Sequence, residues 1–279
     1  MDKVFQKLKE RDIPFVSIVT GEDSVVVFGI GYMPFLYNED EFEIGAFYPA
    51  SHTAYKLAKE LSDEDKIIAN PHLNYKELAQ IGGLGVRGVN DLIYTPEYGS
   101  LVALGAVLVK NSKVEIKREV EPLRCEKCGV CKTLCPSLAL DTSFNYQKCL
   151  RRQMDDGIED WAQPLLSKSV LGCNTCSVGC VKNKVERIRP PAVFQEILQV
   201  DEFFARALSG RKGLEPLADL IGKNMIRPAK MLSPVRIRHF KPPPCMSFAI
   251  QNARNTVRSV KSTYMRIISM VERPMVLSP

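Results

Sequence analysis

Nine cysteines occur in this chain of 279 residues, and eight of them fall between Cys125 and Cys180. Four make one run, Cys125-x-x-Cys128-x-x-Cys131-x-x-x-Cys135, followed at once by Pro136. Three more make Cys173-x-x-Cys176-x-x-x-Cys180, and Cys149 stands by itself between the two sets. Thiolates two residues apart let a tight backbone curl aim three sulfurs at three irons of one 4Fe–4S cubane. A fourth, one residue further on and followed by proline, is turned away. Structural zinc also uses C-x-x-C pairs, but a triple run ending in Cys-Pro is hard to explain with tetrahedral sites. Disulfides are not expected either. The N-terminus has no apolar leader, so the chain is expected to stay in the cytoplasm, where thiols are kept reduced. Cys245, alone among prolines, reads as a bystander.

The first run matches that of the bacterial ferredoxins residue for residue, and in two-cluster members the fourth cysteine ligates the other cubane. The second set has the second, third and fourth positions of such a run but lacks the first, for which Cys149 is the natural substitute. Crossing the runs assigns Cys125, Cys128, Cys131 and Cys180 to one cluster. Cys135, Cys149, Cys173 and Cys176 then hold the other, so two 4Fe–4S clusters account for eight thiolates. Lys127, Lys132 and Arg124, close to the ligands in sequence, could raise the cluster potentials through their charge.

These residues need a scaffold, and the flanking sequence supplies an α/β one. Phe15 to Val19 and Ser24 to Ile30 are short, rich in β-branched residues and bounded by turn signals, so they read as strands. Thr53 to Leu61 reads as a helix with Ala54, Leu57, Ala58 and Leu61 on one face. A second short helix is expected from Asn74 to Ile81, stopped by Gly82-Gly83. Ile93 to Tyr94 and Val102 to Val109 read as strands joined through the turn Pro96-Glu97-Tyr98-Gly99, and the apolar run from Leu101 to Val109 suits a strand covered on both faces. Beyond Arg189-Pro190-Pro191, helices are expected over Val193–Ala207 and Glu215–Met225. Pro234 to Cys245 reads as a linker, and Phe248 to Val271 as a basic amphipathic helix. The expected organisation is an α/β (α+β) N-terminal domain over residues 1–120, a ferredoxin-like two-cluster module over 121–190, and a short helical C-terminal tail over 191–279.

The segment Gly82-Gly83-Leu84-Gly85-Val86-Arg87-Gly88-Val89-Asn90 sits between a helix and a strand. Glycines at that density let a backbone come close to a large ligand or to a packed neighbour. The line from Glu77 to Ile93, continued by Tyr98-Gly99-Ser100 and by Leu104-Gly105-Ala106-Val107-Leu108, resembles the A-G-L-G-x-x-G-K-N-x-L-L region of the epoxyqueuosine reductases and their reductive dehalogenase relatives. The order of all eight cysteines, including the isolated fifth, continues the resemblance, which covers roughly residues 25–181. It implies an α/β domain that binds cobalamin base-off, fed with low-potential electrons by two clusters. By that resemblance Gly83, Leu84, Gly85, Gly88 and Asn90 would lie against the corrinoid. Three positions depart from the pattern. Ala69-Asn70-Pro71-His72 stands where the family places an Asp–x–x–Pro proton donor, Val89 replaces the lysine of G-K-N, and the family's long C-terminal helical domain is expected to be missing or reduced to the short basic tail.

Other residues offer weaker chemistry. His72 could stand in as an acid, since its ordinary pKa lies near neutrality. His52, Tyr32, Tyr55 and Tyr75 could line a pocket, though packing is the commoner role of such residues. Asp40 and Glu41 read as a solvated acidic loop. The formal charge of +6 is concentrated past Phe203, yet no aromatics interleave with base-reading residues, so specific nucleic-acid recognition is not expected. No apolar run reaches the length of a membrane span. Expected partners are a protein electron donor such as a flavoprotein, a corrinoid protein or small-molecule substrate, and a surface for the C-terminal helix. The function expected is an iron–sulfur oxidoreductase delivering electrons to a bound corrinoid. The alternatives are a ferredoxin-type carrier or reductase subunit without one, and a reductive activator of another corrinoid protein.

Overall fold

The computed structural model describes residues 1–63, 65–119, 125–156, 158–165, 169–183, 186–227 and 231. In chain order its helices are α1 (Asp2–Glu10), α2 (Phe47–Leu61), α3 (Tyr75–Ile81), α4 (Val130–Leu134), α5 (Leu150–Asp156), α6 (Thr175–Val178), α7 (Ala192–Ile197), α8 (Val200–Leu208) and α9 (Ala218–Ile221). The strands are β1 (Phe15–Thr20), β2 (Asp23–Gly31), β3 (Glu43–Ile44), β4 (Ile67–Ala69), β5 (Val86–Arg87), β6 (Ile93–Tyr94), β7 (Val102–Val109) and β8 (Ser169–Leu171). The fold is mixed α/β. The described residues form two compact units, one drawn from residues 1–35, 46–146 and 174–188, the other from residues 36–45, 147–173 and 189–231.

The first unit is built on an antiparallel sheet in the order β1-β2-β7-β4. Side chains alternate across a strand, so the unbroken apolar sequence of β2 and β7 buries both faces. On one face Val26, Phe28, Val107 and Val109 pack under Val4, Phe5 and Leu8 of α1 and Ala54, Leu57, Ala58 and Leu61 of α2. On the other, Val16, Ile18, Val25, Val27 and Ala106 meet Ala79 of α3, Leu84 and Ile93. Burying each large side chain of this kind stabilises the fold by roughly 1.5–3 kcal/mol. Helix α2 begins earlier than Thr53, because Pro49 lies in its first turn, where a missing N–H costs nothing. The Asn74 side chain caps α3 by accepting from the Glu77 N–H at 3.3 Å, and its own amide donates to the Glu77 carboxylate.

In the second unit β3 and β8 pair in parallel, and Phe42 packs among Phe203 and Phe204 of α8. The helix expected from Val193 to Ala207 is divided into α7 and α8. The reason is tertiary: the Leu198 carbonyl accepts from the Phe42 N–H at 2.7 Å and Gln199 bridges to Glu41, which pulls Gln199 into extended backbone. Likewise Pro216 and the positive φ of Gly222 break residues 211–225 into 3₁₀ turns around α9. The acidic loop corrects a second expectation. Glu41 is fully buried, accepting from both Arg189 amino groups at 3.1 and 2.8 Å, from the Asn38 N–H at 2.6 Å and from Gln199 at 3.2 Å. Burial alone would raise its carboxyl pKa, but these donors hold it below the usual carboxylate value. The expected linker Pro234–Cys245 and the helix Phe248–Val271 lie outside the described residues, as does Arg124.

Candidate metal centre

The first cysteine run is shaped by two left-handed residues. Lys127 has φ 53° and Gly129 φ 82°, on either side of Cys128. Nothing lies within 4 Å of where a Gly129 Cβ would be, so glycine serves the backbone angle there and not a close contact. The turn feeds α4, which carries Cys131 and ends at Cys135. Helix α6 packs against α4, with Leu134 lying over Gly179, and the chain leaves α6 directly into Cys180.

The result is a cavity lined by Cys125, Cys128, Cys131 and Cys180, with Val89, Tyr94, Val130 and Val181 among its walls. Cys131 is buried, and that burial pushes its thiol pKa up, with Cys125, Cys180 and Cys128 close enough to add to the rise. No disulfide joins the eight described cysteines. Among the described residues no three His, Cys, Asp or Glu side chains gather tightly enough to share one ion. A cubane, which takes one thiolate on each of four irons, asks for a wider ring.

The remaining four ligand candidates are not gathered into that cavity. Cys135 lies 3.7 Å from the Ser137 hydroxyl, and the Cys176 carbonyl accepts from Asn90 at 3.4 Å, both in the first unit. In the second unit the Cys149 carbonyl caps Gln153 N–H at 3.0 Å, and Cys173 packs against Leu150, Met154 and Ala162.

The glycine segment forms the β5–β6 hairpin, closed by the Gly88 N–H to Leu92 carbonyl bond at 2.8 Å. Asp91 clamps it, accepting from Lys76 at 2.6 Å and Arg87 at 2.5 Å. Asn183 ties the same region to the cysteines: its amide donates to the Ser100 hydroxyl at 2.8 Å and to the Ser177 carbonyl, while its oxygen accepts from Ser100 N–H at 2.9 Å. Sequence alone does not single out Tyr94 and the Lys182–Glu126 ion pair at the cavity wall, nor Asn183. Their types are ordinary, and only the fold brings them to the thiols.

No protein-family model matches the chain. An epoxyqueuosine reductase of Listeria monocytogenes is 35% identical over 111 residues, 38% of this chain and 29% of the relative. That of Lactococcus garvieae is 31% identical over 206 residues, 64% of this chain and 57% of the relative. The chain is epoxyqueuosine reductase-like. The solved epoxyqueuosine reductase from Streptococcus thermophilus has a TM-score of 0.60 at 16% identity, covering 97% of this chain and 99% of that one, a likeness of fold. The match spans less than two thirds of the length of either curated relative named above.

The residues the epoxyqueuosine reductase resemblance assigns to a corrinoid are taken up by the protein's own packing. Leu84 has no exposed surface and sits in the core. Asn90 is buried and bonded to Tyr94 and to the Cys176 carbonyl. A Cβ on Gly83 would meet the Arg118 carbonyl at 2.5 Å, one on Gly85 the Tyr94 carbonyl at 2.3 Å, and one on Gly88 the Tyr94 ring at 2.4 Å. At the family's proton-donor position Asn70, with φ 51°, donates to the Tyr55 carbonyl at 3.3 Å, and His72 is exposed. His52 stacks on Tyr55, Tyr32 packs edge-on to Phe47, and the Tyr75 hydroxyl donates to the Pro71 carbonyl at 2.7 Å. Lys132 is turned to the Asp141 carbonyl at 2.9 Å. Among the described residues no helix is long and apolar enough to cross a membrane.

Proposed function

We propose that this chain is an iron–sulfur oxidoreductase of the epoxyqueuosine reductase type, passing low-potential electrons through two 4Fe–4S clusters. One observation carries the reading: Cys180, far down the sequence, lines the same cavity as Cys125, Cys128 and Cys131, as the crossed spacing requires. Four thiols on one cavity match the ligand number that a cubane takes. A bound cluster supplies one-electron chemistry at that place. The chain's own residues prepare it. The Lys127–Gly129 curl carries Cys128, the apolar side chains of Val89, Val130 and Val181 line the cavity, and the Lys182–Glu126 pair stands at its wall. The second set, Cys135, Cys149, Cys173 and Cys176, rests on the spacing of the sequence alone.

A corrinoid is the electron acceptor that the resemblance implies. Gly83, Leu84, Gly85, Gly88 and Asn90 do not fit that group as they stand, since two are buried side chains and the glycine Cβ directions face protein atoms. The same burial, with Asn70 in place of a carboxylate, favours the second reading: an electron carrier or reductase subunit with a protein donor and a separate acceptor.

Anaerobic purification, reconstitution with iron and sulfide, and titration with cobalamin separate the two. About eight irons per chain with a base-off corrin spectrum establishes the corrinoid enzyme. The same iron without corrin binding establishes the carrier. Little iron, with stoichiometric zinc, contradicts both.

A further inference from the structure

Tyr94 is nearly inaccessible, with 1% of its surface exposed, and its ring fills the space that a side chain at Gly88 would take. Its hydroxyl is placed by three groups. The oxygen accepts from the Asn90 amide at 3.1 Å, and the Ser100 hydroxyl bears on it as well. The third neighbour is Cys180 Sγ at 3.2 Å. Asn90 is itself fixed, because its amide reaches the Cys176 carbonyl and its oxygen accepts from Leu92 N–H at 3.4 Å. Ser100 is held by Asn183. A phenol has one proton to give. With its oxygen engaged by Asn90 and Ser100, that proton is left for the sulfur. A thiolate bound to iron carries no proton, so on the line between these two atoms only Tyr94 can be the donor.

We propose that Tyr94 is a positioning residue of the cluster held by Cys125, Cys128, Cys131 and Cys180, donating a hydrogen bond to the Cys180 sulfur that raises this cluster's reduction potential. The inference rests on the cluster reading above. Hydrogen bonds to cluster sulfurs withdraw electron density and favour the reduced state, which carries one more negative charge. Burial of the phenol away from water makes the bond count for more. The donor sits on the β5–β6 hairpin and the acceptor follows α6, so the glycine segment acts on the metal centre through Tyr94 and Asn90.

The test is a redox titration of the reconstituted protein, followed by electron paramagnetic resonance. Tyr94→Phe keeps the ring against Gly88 and removes only the hydroxyl. The expected result is wild-type iron content, one cluster potential unchanged, and the other shifted to a more negative value by an equilibrium factor of about ten, which is about 59 mV for one electron. Wild-type iron with both potentials unchanged overturns the proposal and leaves the cluster reading intact. Absence of iron from the wild type overturns both. Should Tyr94→Phe fail to assemble, replacing all tyrosines by 3-fluorotyrosine strengthens the same donor without removing the ring. One potential should then move to a more positive value, and no movement overturns the proposal.

Discussion

Cys180 shows how much of this centre is carried by single residues. Its type and its spacing from Cys173 and Cys176 are visible in the sequence, and the crossed pattern sends it to the first run. What the sequence does not reveal is the company it keeps. Tyr94, Asn90 and Ser100 converge on the segment from Cys176 to Asn183 from far away in the chain, and nothing in their spacing signals it. Asn183 has the clearest consequence for stability. Its buried amide makes bonds at both ends, so Asn183→Ala leaves Ser100 N–H without its partner and removes one donor from the Ser177 carbonyl. Chemical denaturation should show a loss of about 1–3 kcal/mol. Gly129→Ala is a different kind of change, since space is free but φ is 82°. It should cost about 1–2 kcal/mol and slow cluster assembly, measured as the rate of visible absorbance gain during reconstitution.

Among the elements, β7 was the easiest to read, because an unbroken apolar run of that length suits a strand buried on both faces, which it is. The β1 and β2 strands and α3 also lie where their composition and caps put them. The failures share a cause. The break between α7 and α8 depends on Phe42 and Glu41, and the burial of Glu41 depends on Arg189. Contacts between distant segments decide both, and local pattern cannot show them. The β5–β6 hairpin carries the most useful lesson for experiment. Enlarging Gly85 to leucine looks like a test of corrin contact, yet the new side chain would strike the Tyr94 carbonyl. Gly85→Leu should therefore lower the melting temperature with or without cobalamin present, and a normal melting temperature would contradict the packing described here. Val89, at the cavity wall and partly exposed, is the sounder position for corrin tests.

At the scale of the molecule, the two units interleave along the chain, an arrangement that composition and proline breaks alone did not indicate. The Glu41–Arg189 pair joins residues 36–41 to residues 189–199 within the second unit. Because the folded Glu41 carboxyl titrates below its ordinary value, it contributes stability above the unfolded carboxylate pKa of about 4.3. That contribution is lost as the pH falls through the folded value. Thermal unfolding followed from pH 7 downward should show Glu41→Gln less stable than wild type at neutrality, with a shallower decline below about pH 4.3. The central claim is that Cys180 completes a cluster begun by Cys125, Cys128 and Cys131. It is tested most directly by the iron content of Cys180→Ala after anaerobic reconstitution, with Cys245→Ala alongside. The account expects iron to fall from about eight to about four per chain in Cys180→Ala and to stay unchanged in Cys245→Ala. Full iron in Cys180→Ala would contradict it.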